Sequence, residues 1–124
     1  MILVFGGACQ GKLSWAVKTF GLNSGDLKDC AQGFPKEKAP CLYHLEEVSL
    51  AYAEKGLDTV QFLEERQEIW HDSVLICRDI GCGVVPIDSL ERLWREENGK
   101  MLRFLANQAE RVSRIFCGLE ARLK

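Results

Sequence analysis

The chain has no long hydrophobic run, no marked excess of charge of either sign and no closely paired cysteines. Its apolar start, Met1 to Phe5, is too short for the core of a signal peptide, and no segment approaches the roughly 20 apolar residues that a membrane span requires. A cytoplasmic protein without a membrane partner is therefore expected. Lys and Arg number 16 against 18 Asp and Glu, for a formal net charge of −2. The two signs are interspersed, so the basic footprint of nucleic-acid binding is missing and a phosphate ligand would have to be held locally. Of the 6 cysteines (Cys9, Cys30, Cys41, Cys77, Cys82, Cys117), no two have the C-x-x-C spacing. Three sit within or at the end of apolar runs, which favours buried thiols in a reducing compartment over zinc or disulfides. Internal repeats and low-complexity segments are absent. A length of 124 residues with 47% hydrophobic content fits one compact domain over residues 1–124, shorter than a complete nucleotide-dependent enzyme.

What is present is concentrated near the start. Ile2 to Phe5 reads as a continuous apolar strand, and it runs directly into Gly6-Gly7-Ala8-Cys9-Gln10-Gly11-Lys12, a G-x-x-x-x-G-K pattern followed by a helical one. That is the context of a Walker A loop. Glycines permit positive φ, backbone N–H groups converge on phosphate oxygens, and the following helix directs its positive end at the same anion. Lys12 would reach the β and γ phosphates of ATP or GTP. The next position, where Ser or Thr ordinarily supplies a hydroxyl to Mg²⁺, is Leu13, so metal binding is expected to be weakened. Ser14 cannot substitute, because adjacent helix positions point about 100° apart. The alternative is a glycine-rich strand-to-helix turn with an incidental lysine. Cys9 lies where a helix end would lower a thiol pKa, or is only a small residue that fits the loop.

Further on, the pattern predicts a helix over Lys12 to Phe20 ended by Gly21, loop over 21–38 with room for one helical turn, and a strand over Ala39 to His44. Helices follow over Leu45 to Ala53 and over Leu57 to Trp70, then a buried strand over Ser73 to Cys77. A loop with Gly81, Gly83 and Pro86 precedes a helix that Asp88 and Glu91 start as a capping box and that runs to about Ala109. Its stripe Leu90, Leu93, Trp94, Met101, Leu102 and Leu105 is expected to face the core, and Val112 to Phe116 forms the last strand. Alternating strands and helices imply a right-handed α/β layer with a mainly parallel sheet, its first strand central and helices on both faces.

Three segments, ILVFGGACQGK, DIGCGVVP and AERVSRIFCGLEARLK, together resemble the bifunctional adenosylcobinamide kinase and adenosylcobinamide-phosphate guanylyltransferase family of cobalamin biosynthesis. In that family a strand leads into G-G-x-x-S-G-K-S, a later strand into N-E-V-G-x-G-x-V-P, and the chain closes with a strand, a glycine and a short basic tail. His44-Leu45-Glu46-Glu47 is similar to the family's T-V-E-E. The resemblance implies a P-loop NTPase-like α/β fold, ATP or GTP as nucleotide, a cobinamide-type substrate and association into a homo-oligomer. It places Asp79 at the family's glutamate and Arg78 at its asparagine. Asp79 is then the candidate catalytic and Mg²⁺-side carboxylate beside Lys12, unless it merely caps its own turn.

The departures limit what the resemblance implies. The guanylyl-accepting histidine of the family lies in an arginine-rich R-I-x-x-H-R-x-x-R-P segment, whereas here the first arginine is Arg66 and neither His44 nor His71 has such neighbours. The family's V-D-C-L-T strand also has no counterpart. Two function classes follow: a reduced kinase-type, nucleotide-binding enzyme without guanylyltransferase activity, or a non-catalytic relative retained for binding, regulation or assembly. An unrelated small P-loop kinase is a third.

Overall fold

The structure is a computed structural model that describes residues 1–81 and 88–124. Cys82, Gly83 and Pro86 of the second glycine-containing loop lie outside the described residues. Strands β1 (Ile2–Gly6), β2 (Leu27–Asp29), β3 (Cys41–Tyr43), β4 (Val74–Arg78), β5 (Arg111–Phe116) and β6 (Leu119–Arg122) form one sheet in the order β2-β3-β4-β1-β5-β6. The first five pair in parallel, and β6 returns antiparallel to β5. Helices α1 (Lys12–Phe20), α2 (Leu45–Lys55), α3 (Thr59–Glu64), α4 (Gln67–Trp70) and α5 (Ser89–Gln108) complete the described elements. This is the P-loop NTPase-like α/β arrangement expected. No helix of the described residues is long and apolar enough to cross a membrane.

The side-chain alternation of a strand explains why β1 is apolar throughout. Leu3 joins Leu42, Leu75 and Val112 in a core covered by Leu45, Val48, Leu63, Trp70, Met101 and Leu105 of α2 to α5. Val4 faces the other way, onto Cys41, Ile76 and Ile115, where Ala16 and Leu13 of α1 cover it. Both faces are thus buried, as central strands of parallel sheets require. Gly21 ends α1 in the left-handed conformation, and Asp88 caps α5 by accepting from the N–H groups of Leu90 and Glu91.

Four expectations are corrected. The 57–70 segment is two helices, because Asp58 caps α3 and the chain bends at Arg66 (φ −128°, ψ 29°) before α4. The bend lets the Trp70 indole donate to the Leu63 carbonyl at 2.8 Å and bury itself in the same core as Leu63. The 21–38 segment, read as loop, contains β2, an edge strand of 3 residues too short to show alternation. The chain does not close on β5: Cys117 (φ 52°) and Gly118 (φ 74°) make a two-residue turn of the type that twisted hairpins prefer, and β6 follows. Finally, Leu90 and Leu93 are 37% and 50% exposed, since the buried residues of α5 (Asn98, Met101, Leu105) begin only at Asn98.

Gly6 is where β1 stops being replaceable. Its φ is +157°, and a Cβ there would collide with the Ile115 carbonyl oxygen of β5. Gly6→Ala is expected to cost roughly 1–3 kcal/mol in urea unfolding, and an unchanged midpoint would contradict so close an approach of the two strands. The thiols give a second check. Cys30, Cys41 and Cys77 are buried, and burial pushes Cys30 and Cys41 from 9.0 up to about 12. The stability these protonated thiols contribute is complete below pH 9.0 and lost as the pH rises toward about 12. At pH near 8, iodoacetamide should label Cys9 and Cys117 in the native protein and leave Cys30, Cys41 and Cys77 unmodified until denaturant is added.

Candidate functional site

Strands β1, β4 and β3 end on one side of the sheet, where the chain turns into the glycine-rich loop, the 79–81 segment and α2 respectively. Crevices at the carboxyl ends of parallel strands are where open α/β sheets hold ligands. Here the crevice is a cleft of about 370 Å³, walled on one side by residues 8–14 and on the other by Tyr43, His44, Glu46, Glu47, Ile76 and Arg78. The volume lies within the range of small-molecule sites.

The loop turns through the left-handed region at two positions. Cys9 (φ 58°) and Gly11 (φ 83°) both take positive φ, and Gly11 is the N-cap of α1 with no side chain occupying the first-turn N–H groups. Those donors have no intrahelical partner. Lys12 folds back over the loop, its Nζ donating to the Gly7 carbonyl at 2.7 Å. Burial lowers the pKa of its ammonium from the ordinary 10.5, and the nearby charge of Glu46 works against that shift. Of the eight loop residues singled out in the sequence, Ala8, Cys9, Gln10, Gly11, Lys12 and Leu13 line the cleft, while Gly6 and Gly7 form its entry from β1. The β5–β6 turn braces the loop from outside. Gln10 accepts from the Gly118 N–H through its carbonyl (2.9 Å) and from the Cys117 N–H through its Oε1 (2.7 Å).

The second candidate, Asp79, is placed beside the cradle but not on the cleft wall. Its N–H donates to the Gly6 carbonyl at 2.8 Å, tying the segment after β4 to the end of β1, and its Oδ1 accepts from the Gly81 N–H at 3.0 Å. Arg78, its neighbour, does line the cleft. Of the histidines, His44 lines the cleft and precedes α2 at φ 60° with Nδ1 2.7 Å from Asp29 Oδ1, whereas His71, outside the cleft lining, pairs with the Gln67 carbonyl.

Glu46 was not singled out as a site residue, although it stands closest in chemistry to one. It is 5% exposed, its Oε1 accepts from the Arg78 N–H at 3.2 Å, and its Oε2 is buried with no hydrogen-bond partner among the described residues. Burial raises its pKa above the ordinary carboxylate value, with hydrogen bonds and the charges of His44 and Lys12 pulling the other way. Hydrogen bonds tie the surrounding framework together. Trp94 Nε1 donates to the Glu46 carbonyl (2.9 Å), Ser49 Oγ donates to Asn98 Oδ1 (2.8 Å), and Asn98 Nδ2 donates to the Arg78 carbonyl (3.1 Å). The signals in the sequence were the acidic start of a helix following a strand and the similarity of residues 44–47 to the family's T-V-E-E, and neither distinguishes a solvated dipole partner from a buried carboxylate. No group of three or more His, Cys, Asp or Glu among the described residues is arranged to hold a metal ion by itself.

Comparison with known proteins gives one finding. A family model described as cobinamide kinase / cobinamide phosphate guanyltransferase matches residues 41–123, from the first residue of β3 to just past β6. The matched segment includes Glu46, Arg78 and Asp79 and begins after the glycine-rich loop, which it does not cover. No curated protein matches the chain.

Proposed function

The chain belongs to the cobinamide kinase / cobinamide phosphate guanyltransferase family, and on that premise we propose that it binds the phosphates of ATP or GTP over residues 6–12 without carrying out guanylyl transfer. The observation that carries the reading is the uncapped start of α1 facing a cleft of about 370 Å³, with the Lys12 ammonium held across the loop. A triphosphate would receive N–H donors from the first turn of α1, the positive end of that helix and the charge of Lys12. The Arg78 side chain on the opposite wall supplies a second cation. For phosphoryl transfer, this positioning and charge neutralisation is most of what a protein contributes.

Mg²⁺ would accompany the nucleotide and neutralise charge on its phosphates; Asp79, whose N–H is tied to the Gly6 carbonyl, is one candidate carboxylate for it. A cobinamide-type acceptor, with its hydroxyl near the terminal phosphate, completes the kinase form of the reading. A copy of the chain as partner belongs to it as well. Guanylyl transfer does not, since no histidine sits in an arginine-rich segment before Arg66. Leu13, which brings no hydroxyl to the first turn of α1, favours a second reading, a non-catalytic relative that binds nucleotide for regulation or assembly.

Calorimetric titration of ATP and GTP into the wild-type chain and Lys12→Ala separates these readings from an incidental loop. Loss of a charged hydrogen-bonding group should weaken binding by roughly 1.5–3 kcal/mol, about tenfold or more, with little change in unfolding midpoint. Equal affinity in the variant would rule out the cradle. After incubation with labelled GTP, the denatured protein should retain no label, and a retained GMP adduct would contradict the loss of the transferase half.

A further inference from the structure

The hydroxyl that Leu13 lacks leaves a specific gap in the proposed nucleotide site, and the opposite wall of the cleft holds a side chain with a matching excess. Glu46 carries one oxygen fixed by the Arg78 N–H and another, Oε2, that is buried and without a hydrogen-bond partner among the described residues. A buried oxygen of this kind is costly to leave unsatisfied, the more so when charged. The fold nevertheless holds it in place. Trp94 anchors the Glu46 carbonyl, and Ser49 and Asn98 connect the same turn of α2 to α5 and to the end of β4. The residue shares the cleft with Lys12 and Leu13.

Resting on the nucleotide reading above, we propose that Glu46 is the metal-side carboxylate of this site, its Oε2 serving Mg²⁺ directly or through a bound water in place of the hydroxyl missing at Leu13. The chemistry of the cation fits the residues present. Mg²⁺ requires hard oxygen ligands and is ordinarily held by one or two carboxylates, several waters and the substrate's own phosphates, not by a protein cage. The described residues offer no group of three or more metal-binding side chains. A buried carboxylate opposite the loop, with no protein cage around it, is therefore a site that exists only when nucleotide is bound. Metal affinity should be negligible for the free protein and appear with the triphosphate.

The test compares nucleotide affinity in Mg²⁺ with that in EDTA for the wild-type chain, Glu46→Gln and Asp79→Asn, with Mn²⁺ binding followed by electron paramagnetic resonance in the presence and absence of the same nucleotide. The wild-type chain should gain affinity on adding Mg²⁺ and should immobilise Mn²⁺ only when nucleotide is present. Glu46→Gln should bind metal-free nucleotide at least as well as wild type and lose the metal-dependent gain by roughly 10–100-fold in Mn²⁺ affinity. Should Glu46→Gln fail to fold, Glu46→Asp, which keeps the charge but withdraws it by one methylene, should lose most of the same gain. A full metal-dependent gain in either folded variant, or a gain lost in Asp79→Asn alone, would overturn the assignment. So would nucleotide binding by wild type that is indifferent to the metal. If wild type binds no nucleotide in EDTA or in Mg²⁺, the nucleotide reading itself fails and takes this assignment with it, an outcome distinct from all the others.

Discussion

The site depends on one constraint, the parallel pairing of β1 with β4 on one edge and β5 on the other. Register Gly6↔Arg78 brings the end of β1 level with the end of β4, so that the loop after one strand lies beside the segment after the next. The same level is marked on the other side by the Ile115 carbonyl, which leaves room for no side chain at residue 6. Glycine is needed at that point because β5 passes too close for a Cβ, and the chain then has freedom to turn into the cradle. A backbone hydrogen bond from Asp79 to Gly6 and two from the β5–β6 turn to Gln10 fasten the loop at both ends. The glycine-rich loop is therefore held by the sheet and by the C-terminal hairpin together.

A second layer of constraint is polar and buried. Asn98, Ser49 and Thr59 are all within the interior, and Asn98 links α5 to α2 through Ser49 and to β4 through the Arg78 carbonyl. Such a network fixes the angle at which α2 leaves β3, and with it the direction in which Glu46 projects. Each member satisfied raises the cost of displacing the others, since an abandoned partner would be buried without a hydrogen bond. The orphaned Oε2 of Glu46 departs from this economy on the cleft wall, and among the described residues Arg111 Nε of β5 is likewise buried without a partner. Of the two residues, Glu46 lines the cleft, and departures of this kind are where function is to be sought.

Much of this was legible in the residues. The apolar strand, the G-x-x-x-x-G-K loop and the helix ended by Gly21 specify one another locally, and Lys12, Gly11 and the cleft-lining loop lie where their spacing places them. Membership of the family was legible too, from segments at both ends and the middle of the chain. The missed elements share a physical cause: β2 and β6 are an edge strand of 3 residues and a fully exposed strand of 4, which leave no burial pattern for alternation to reveal. Leu90 and Leu93 follow helical periodicity faithfully but fall on a part of α5 that stays exposed. Glu46 was hidden for the opposite reason. An acidic residue in a helix's first turn is ordinary, and only the packing of Trp94, Asn98 and Arg78 around it makes it a buried carboxylate beside a lysine.

The central claim is that the loop over residues 6–12 receives phosphate, and amide chemical-shift mapping by nuclear magnetic resonance tests it most directly. Titrating ATP or GTP into the isotopically labelled chain should shift the amides of residues 7–14 first and farthest, with smaller shifts at residues 43–47 and 78 across the cleft and at 117–118 through the Gln10 brace. No shift with either nucleotide, or shifts confined to surfaces away from the carboxyl ends of β1, β3 and β4, would contradict the account.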